Sequence, residues 1–193
     1  LKQRILFEKI PSGQMHLTSI IEAMRDSLSI EITYQSFWRD TPNTFEIHPY
    51  CIKVFKQRWY VIGYSPYKES ILIYALDRIK HIHINENKFQ LPKDFDGEAF
   101  FADCFGIVAG DGHKTENVLI KVYKIQDSYI RALPLHHSQK EVESTSDYTI
   151  FSYHIKPSFD FRQELLSHGS EVEVLSPKWF RDEIAEIITA QYD

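Results

Sequence analysis

Arg58-Trp59-Tyr60-Val61-Ile62-Gly63-Tyr64, followed by Leu72-Ile73-Tyr74-Ala75-Leu76-Asp77-Arg78-Ile79, decides how this chain folds. Both stretches are rich in aromatic and β-branched residues, which suit a pleated, half-buried surface. The short Ser65–Ser70 segment between them reads as a loop, so the two strands are expected to pair. Within the first stretch Arg58, Tyr60, Ile62 and Tyr64 share one parity, and Trp59 and Val61 take the other. Tyr74, Leu76 and Arg78 share a parity in the second. No acid occurs from Ile47 to Lys68, whereas Lys53, Lys56, Arg58 and Lys68 do. A basic and aromatic face is therefore expected on the paired strands. Such a face suits a nucleotide or single-stranded nucleic acid, because aromatic rings stack bases at ~1–3 kcal/mol each while cations hold phosphates.

Upstream of this core, Ser29–Phe37 alternates apolar and polar residues and reads as a strand. Residues 38–43 read as a turn, and 45–55 as a strand bent or left at an edge by Pro49. Residues 71–84 form one long strand with a bulge, and 85–91 a turn with a short fifth strand. Strands in succession, spaced by turns, give a small barrel or meander. Leu17, Ile20, Ile21, Met24 and Leu28 fall on a helical stripe over 14–28, placing a helix across one end of that barrel. Ile5, Leu6 and Ile10 also keep helical spacing. We read residues 1–27 as a helical linker, the tail of a helix belonging to a larger protein.

A short helix with Phe100 and Phe101 fits the acidic stretch after Pro92. The glycine-rich stretch 106–117 is the candidate linker. Beyond it, strand, helix, hairpin, helix, strand and helix succeed one another, the order of a small α+β unit over 116–193. Gly169 is placed as a helix C-cap, and Ser176 with Pro177 opens the last helix, whose apolar face is Phe180, Ile184, Ile187 and Ile188.

The chain has 193 residues, with 22 Lys and Arg against 27 Asp and Glu, a formal net charge of −5. That balance argues against coating duplex DNA by bulk charge. The two cysteines, Cys51 and Cys104, form no CxxC pair, which excludes a cysteine-built zinc site and a disulfide framework. No apolar run is long enough for a membrane helix. A soluble, cytoplasmic protein is expected. His81 and His83 point the same way on a strand, half of a metal site without a third ligand at diagnostic spacing. GxSxG, HExxH, P-loop and GxGxxG patterns do not occur, so neither an enzyme nor a cofactor is expected.

The residues also resemble a known family. Trp59-Tyr60-Val61 is similar to the tripeptide that names the WYL domain. The likeness extends through Tyr34, His48-Pro49-Tyr50-Cys51-Ile52, Tyr74–Ile79 and the downstream Phe100–Ile107. The resemblance implies an Sm-like, SH3-type β-barrel over about 28–107, with 116–193 as the C-terminal extension that often follows. It implies an effector-sensing and dimerising module of a bacterial helix-turn-helix transcription regulator, with a homodimer expected. Duplex DNA would be met only through a separate N-terminal domain. The implied effector is single-stranded nucleic acid or a nucleotide, held near Ser36, Tyr50, Arg58, Tyr60, Tyr74 and Arg78. The chain departs from the family pattern at Ala75 and Tyr50, where members often carry Arg and His. These two absent cations favour the alternative somewhat, a module binding protein through the same face.

Overall fold

The computed structural model describes residues 10–109 and 112–190, so residues 1–9 of the expected upstream helix lie outside the described residues. The chain forms two compact units that meet at Gly97 and Glu98.

In the first unit, α1 (Leu17–Asp26) precedes β1 (Leu28–Tyr34), β2 (Asn43–Phe55), β3 (Arg58–Ser65), β4 (Ser70–Ala75) and β5 (Ile79–Lys88). The strands form one antiparallel sheet in the order β4-β3-β2-β1-β5. The long β2 belongs to both halves of this sheet. Its first residues, Asn43 to Ile47, pair with β1, and His48 to Phe55 pair with β3. The register slips between Pro49 and Cys51, a bulge that turns the strand from one half to the other. The bend expected at Pro49 is this bulge. Opposite it stands Gly63, where a β-carbon would lie 2.7 Å from the His48 carbonyl oxygen. The Lys56-Gln57 connection is a tight hairpin, with both residues at positive φ (45° and 64°) as its right-handed twist requires.

The run 71–84 is not one strand with a bulge. A 3-10 turn, Leu76–Arg78, separates β4 from β5. The strand expected near residues 89–91 is absent, because β5 itself runs on to Lys88. The run is apolar on both sides of the turn, and burial passes from Leu76 to Ile79, three positions on and of the opposite parity, as a turn allows and a continuous strand does not. The helix α1 closes the core through fully buried Ile20 and Ala23, which meet Ile30, Ile32, Ile47 and Val61. Ile21, expected on the buried stripe, is 53% exposed. Ser27 ends the helix in the left-handed region, its N–H bonding back to the last turn.

A single turn of helix, α2 (Gly97–Phe100), lies at the boundary. The second unit then runs β6 (Glu116–Tyr123), α3 (Gln126–Ala132), β7 (Lys140–Ser144), β8 (Tyr148–Ile155), α4 (Phe159–Ser167), β9 (Val172–Ser176) and α5 (Lys178–Thr189). Its sheet is antiparallel in the order β7-β8-β6-β9. That connectivity is the ferredoxin-like βαββαβ arrangement with one added helix. Val118, Ile120, Phe151, Tyr153, Phe161 and Phe180 fill its core. Ser176 closes β9 rather than capping α5, whose N-cap is Pro177. Ile188 is 43% exposed, so the apolar face of α5 is narrower than its spacing implies. The described part of the glycine-rich stretch is tied into this unit. Asp160 accepts the Ile107 and Val108 amides at 2.8 and 3.2 Å.

Asp127, at 1% exposure, is the polar centre of the second unit. Its carboxylate accepts from Lys124, Arg131 and Thr149 at 2.8, 2.9 and 2.8 Å. The Lys124 hydrogen bond, with help from Thr149 and Arg131, holds its pKa far below the usual 3.8. A carboxylate depressed in this way stabilises the fold fully above the ordinary carboxylate range and loses that contribution as pH falls through it. Asp127→Asn should cost about 2 kcal/mol at pH 7, and the difference from wild type should shrink on acidification, as read by urea denaturation. Gly63→Ala should destabilise the first unit by about 1–3 kcal/mol by forcing β2 and β3 apart at the bulge, measured as a fall in the denaturation midpoint.

Candidate functional site

The turns at one mouth of the barrel are the β1–β2 loop and the β3–β4 turn. Between them lies a cleft of about 700 Å³. Its lining alternates an aromatic floor with a polar rim. The floor is Tyr34, Phe45 and Tyr74, with ring centroids 5.4 Å apart for Tyr34–Tyr74 and for Phe45–Tyr74. These rings come from β1, β2 and β4, so the floor exists only once the sheet has curled. Tyr74 is 8% exposed. Burial raises its pKa, an effect partly offset by its hydrogen bond to Ser65. The phenol is therefore a neutral donor at physiological pH. The rim carries Ser36, Arg39, Asn43, Glu46 and Lys68.

The β1–β2 loop is built by short-range hydrogen bonds. Gln35 Nε2 donates to the Ser36 and Arg39 carbonyls at 3.1 and 2.6 Å. The Trp38 amide donates to Ser36 Oγ at 3.2 Å, so Ser36 shapes the turn as well as lining the cleft. This brace holds Phe37 at 72% and Trp38 at 95% exposure, while Tyr67 across the cleft is 83% exposed. Large rings held out in turns are not core residues, and exposed apolar surface of this kind is available for contact with a partner. The Arg78 guanidinium lies over the Phe37 ring, 3.8 Å from its centroid.

The expected site residues do not share one face. The register sets Tyr60 opposite Ala75 and Tyr74 opposite Val61, so the two tyrosines point to opposite sides of the sheet. Ser36 and Tyr74 line the cleft, and Arg78 covers the ring of Phe37, the neighbour of Ser36. Tyr60 is 7% exposed. Tyr50 packs in a separate aromatic group with Phe89 and Phe95, at 5.8 and 4.9 Å. Arg58 is ion-paired with Asp77, whose side chain is 10% exposed. Trp59 packs against the core, as its parity implies. His81 and His83 stand opposite Thr33 and Glu31 on the sheet. Among the described residues no group of three or more His, Cys, Asp or Glu is arranged to hold a metal. Burial pushes the Cys51 thiol up, away from a reactive thiolate. No helix among the described residues is long and apolar enough to cross a membrane.

Two family comparisons match separate parts of the chain: the WYL domain over residues 15–84 and the WCX domain over residues 114–191. The chain carries a WYL domain followed by a WCX domain. The first match spans α1 and most of the five-stranded sheet, and the second spans β6 to α5. Among solved structures, the chain is similar to proteasome accessory factor B/C (PafBC) of Arthrobacter aurescens. The identity is 19% and the TM-score 0.44, over 90% of this chain and 26% of that one. It is also similar to a CRISPR Cas-related protein, at 13% identity and TM-score 0.53, over 94% of this chain and 51% of that one. The chain thus spans about a quarter and about half the length of these two. No curated protein matches it.

Of the residues at this mouth, the pattern names Lys68 among its cations but does not point to Phe37, Trp38, Arg39 or Tyr67. The available signal is that Trp38 falls within the turn 38–43 that Pro42 helps mark, and Tyr67 next to Pro66, where turn chemistry leaves no core to fill. Trp38→Ala should change stability by no more than about 0.5 kcal/mol. Tyr74→Ala, which opens a cavity in the cleft floor, should cost about 3 kcal/mol. Thermal denaturation of the two variants checks both.

Proposed function

We propose that this chain is the ligand-sensing and dimerisation region of a transcription regulator. Its WYL cleft binds single-stranded nucleic acid or a nucleotide-type effector, and it acts by binding rather than by catalysis. One observation carries the reading. Exposed Tyr67 lines a cleft whose rim holds Arg39 and Lys68, and exposed Phe37 and Trp38 stand in the chain between its lining residues Ser36 and Arg39. Stacking surfaces beside cations are what a single strand needs and what its bases and phosphates reward. The charge distribution supports placing the ligand on the first unit. Through Gly97 the chain has 13 Lys and Arg against 11 Asp and Glu, whereas from Glu98 onward it has 9 against 16. A polyanion is repelled by the second unit, which leaves the WCX domain for contacts with a second copy. Duplex DNA is assigned to a separate domain of the regulator.

The same exposed rings favour a second reading, a protein partner docked on the cleft mouth. Salt separates the two. Nucleic-acid affinity falls steeply as salt rises, because binding releases counterions, and an apolar protein contact does not behave this way.

Fluorescence anisotropy with a labelled single-stranded oligonucleotide, at two salt concentrations and with duplex as control, tests the proposal. Saturable binding that prefers the single strand and weakens with salt is expected. Trp38→Ala should weaken it by about tenfold, the loss of one stacking contact. Arg39→Ala should reduce both the affinity and its salt dependence. Absence of binding at low salt removes single-stranded nucleic acid as the ligand of this chain.

A further inference from the structure

The 3-10 turn Leu76–Arg78 is attached on two sides. Toward the cleft, the Gln35 amide donates to the Arg78 carbonyl at 3.0 Å, and the Arg78 guanidinium covers Phe37 at 3.8 Å. These contacts hold the loop that bears Ser36, Trp38 and Arg39. On the other side the turn receives the segment that enters the barrel. Gly13, at φ +68°, sits so close that a β-carbon there would collide with the Leu76 carbonyl carbon and the Asp77 nitrogen. His16 Nε2 hydrogen-bonds the Ile79 carbonyl at 2.9 Å, and the Trp59 amide donates to the Ser12 carbonyl at 3.4 Å. Arg58, next to Trp59, ties the turn back to β3 through Asp77.

This ion pair is only partly satisfied. Asp77 Oδ1 and Arg58 Nε are both buried without a hydrogen-bond partner, and so is Arg78 Nε at the other end of the turn. A buried polar network that leaves atoms unpaired is sensitive to a small displacement, because each unpaired group costs free energy that another arrangement can recover. A ligand that stacks on Phe37 or offers an acceptor to Arg78 interacts differently with two positions of the turn, and a differential interaction is what shifts an equilibrium.

We propose that the turn Leu76–Arg78 is a relay: occupancy of the cleft and docking of Ser12–His16 on the barrel are coupled through it. The relay rests on the reading of the cleft as the ligand site. Arg58 and Asp77 are positioning residues within it, holding the turn rather than touching ligand. The coupling is reciprocal, so whatever loosens the segment also alters the cleft.

The test has a ligand-free arm and a ligand arm, both on the full chain. In the first, hydrogen exchange is compared between wild type and His16→Ala, which removes the contact to Ile79 from the segment side. The relay requires faster exchange at the Trp38 and Arg39 amides of the β1–β2 loop, by at least about threefold. The Thr145 amide of the second unit should not change. Unchanged loop amides overturn the relay. Gly13→Ala, which lifts the segment by sterics alone, must give the same pattern, and exchange confined to residues 12–16 in that variant also overturns it. In the second arm, a fluorescein-labelled oligothymidylate is titrated into both proteins. His16→Ala should shift its Kd at least about fivefold. Equal affinities overturn the relay and leave the cleft reading standing. No binding to wild type removes the single-strand reading and leaves the relay to be decided by the exchange arm.

Discussion

One strand must serve two half-sheets, and the rest of the first unit depends on how β2 does it. An antiparallel strand that stayed flat would pair β1 and β3 in one open layer with both faces wet. The slip at Pro49–Cys51 turns β2 so that its first half faces β1 and its second half faces β3. The curl brings Tyr34, Phe45 and Tyr74 together from strands that are not all neighbours. The same curl needs backbone-to-backbone approach at Gly63, which only a residue without a β-carbon allows. The cleft floor is thus a consequence of the bulge. Its position at the barrel mouth follows from the loops on either side, which are free to carry exposed rings because the core beneath them is already filled by α1.

The two units divide the physical chemistry between them. The WYL unit is close to neutral with a slight excess of cations and displays aromatic rings on turns. The WCX unit is strongly acidic, and its central buried charge, Asp127, is fully engaged by Lys124, Arg131 and Thr149. A polar network with that many partners fixes structure rather than waiting for a ligand. Its contrast with the Arg58–Asp77 pair, where buried atoms on both partners lack hydrogen bonds, separates a scaffold from a part that can respond.

Most elements were legible because their signals are local. Alternation marked β1 and β3, Pro49 marked the bend, and the strand–helix order marked the second unit. The failures share a cause. The turn Leu76–Arg78 hides inside a β-rich run, and its trace is the change of buried parity from Leu76 to Ile79, three positions apart, which a continuous strand does not allow. The expected face of Tyr60 and Tyr74 fails on register, and Arg78 leaves it because Leu76–Arg78 is a turn rather than strand. Pairing Tyr60 with Ala75 rather than with Tyr74 is a fact about two strands. Phe37 is hidden because the alternation runs past the true end of β1 at Tyr34, and Trp38 because a turn assignment says nothing about what the turn displays.

Arg58 shows what residue type alone leaves out. A cation before an aromatic strand suits a phosphate, and nothing nearby in sequence contradicts it, since the nearest preceding acid is Glu46. Asp77 lies far along the chain and reaches Arg58 only because the 3-10 turn folds back over β3. Asp77 offsets the Arg58 charge, and the cations that line the cleft are Arg39 and Lys68 on the flanking turns. The strand supplies the support and the loops supply the contact. A site built this way can change its ligand by altering loop residues without disturbing the pair that holds the turn in place.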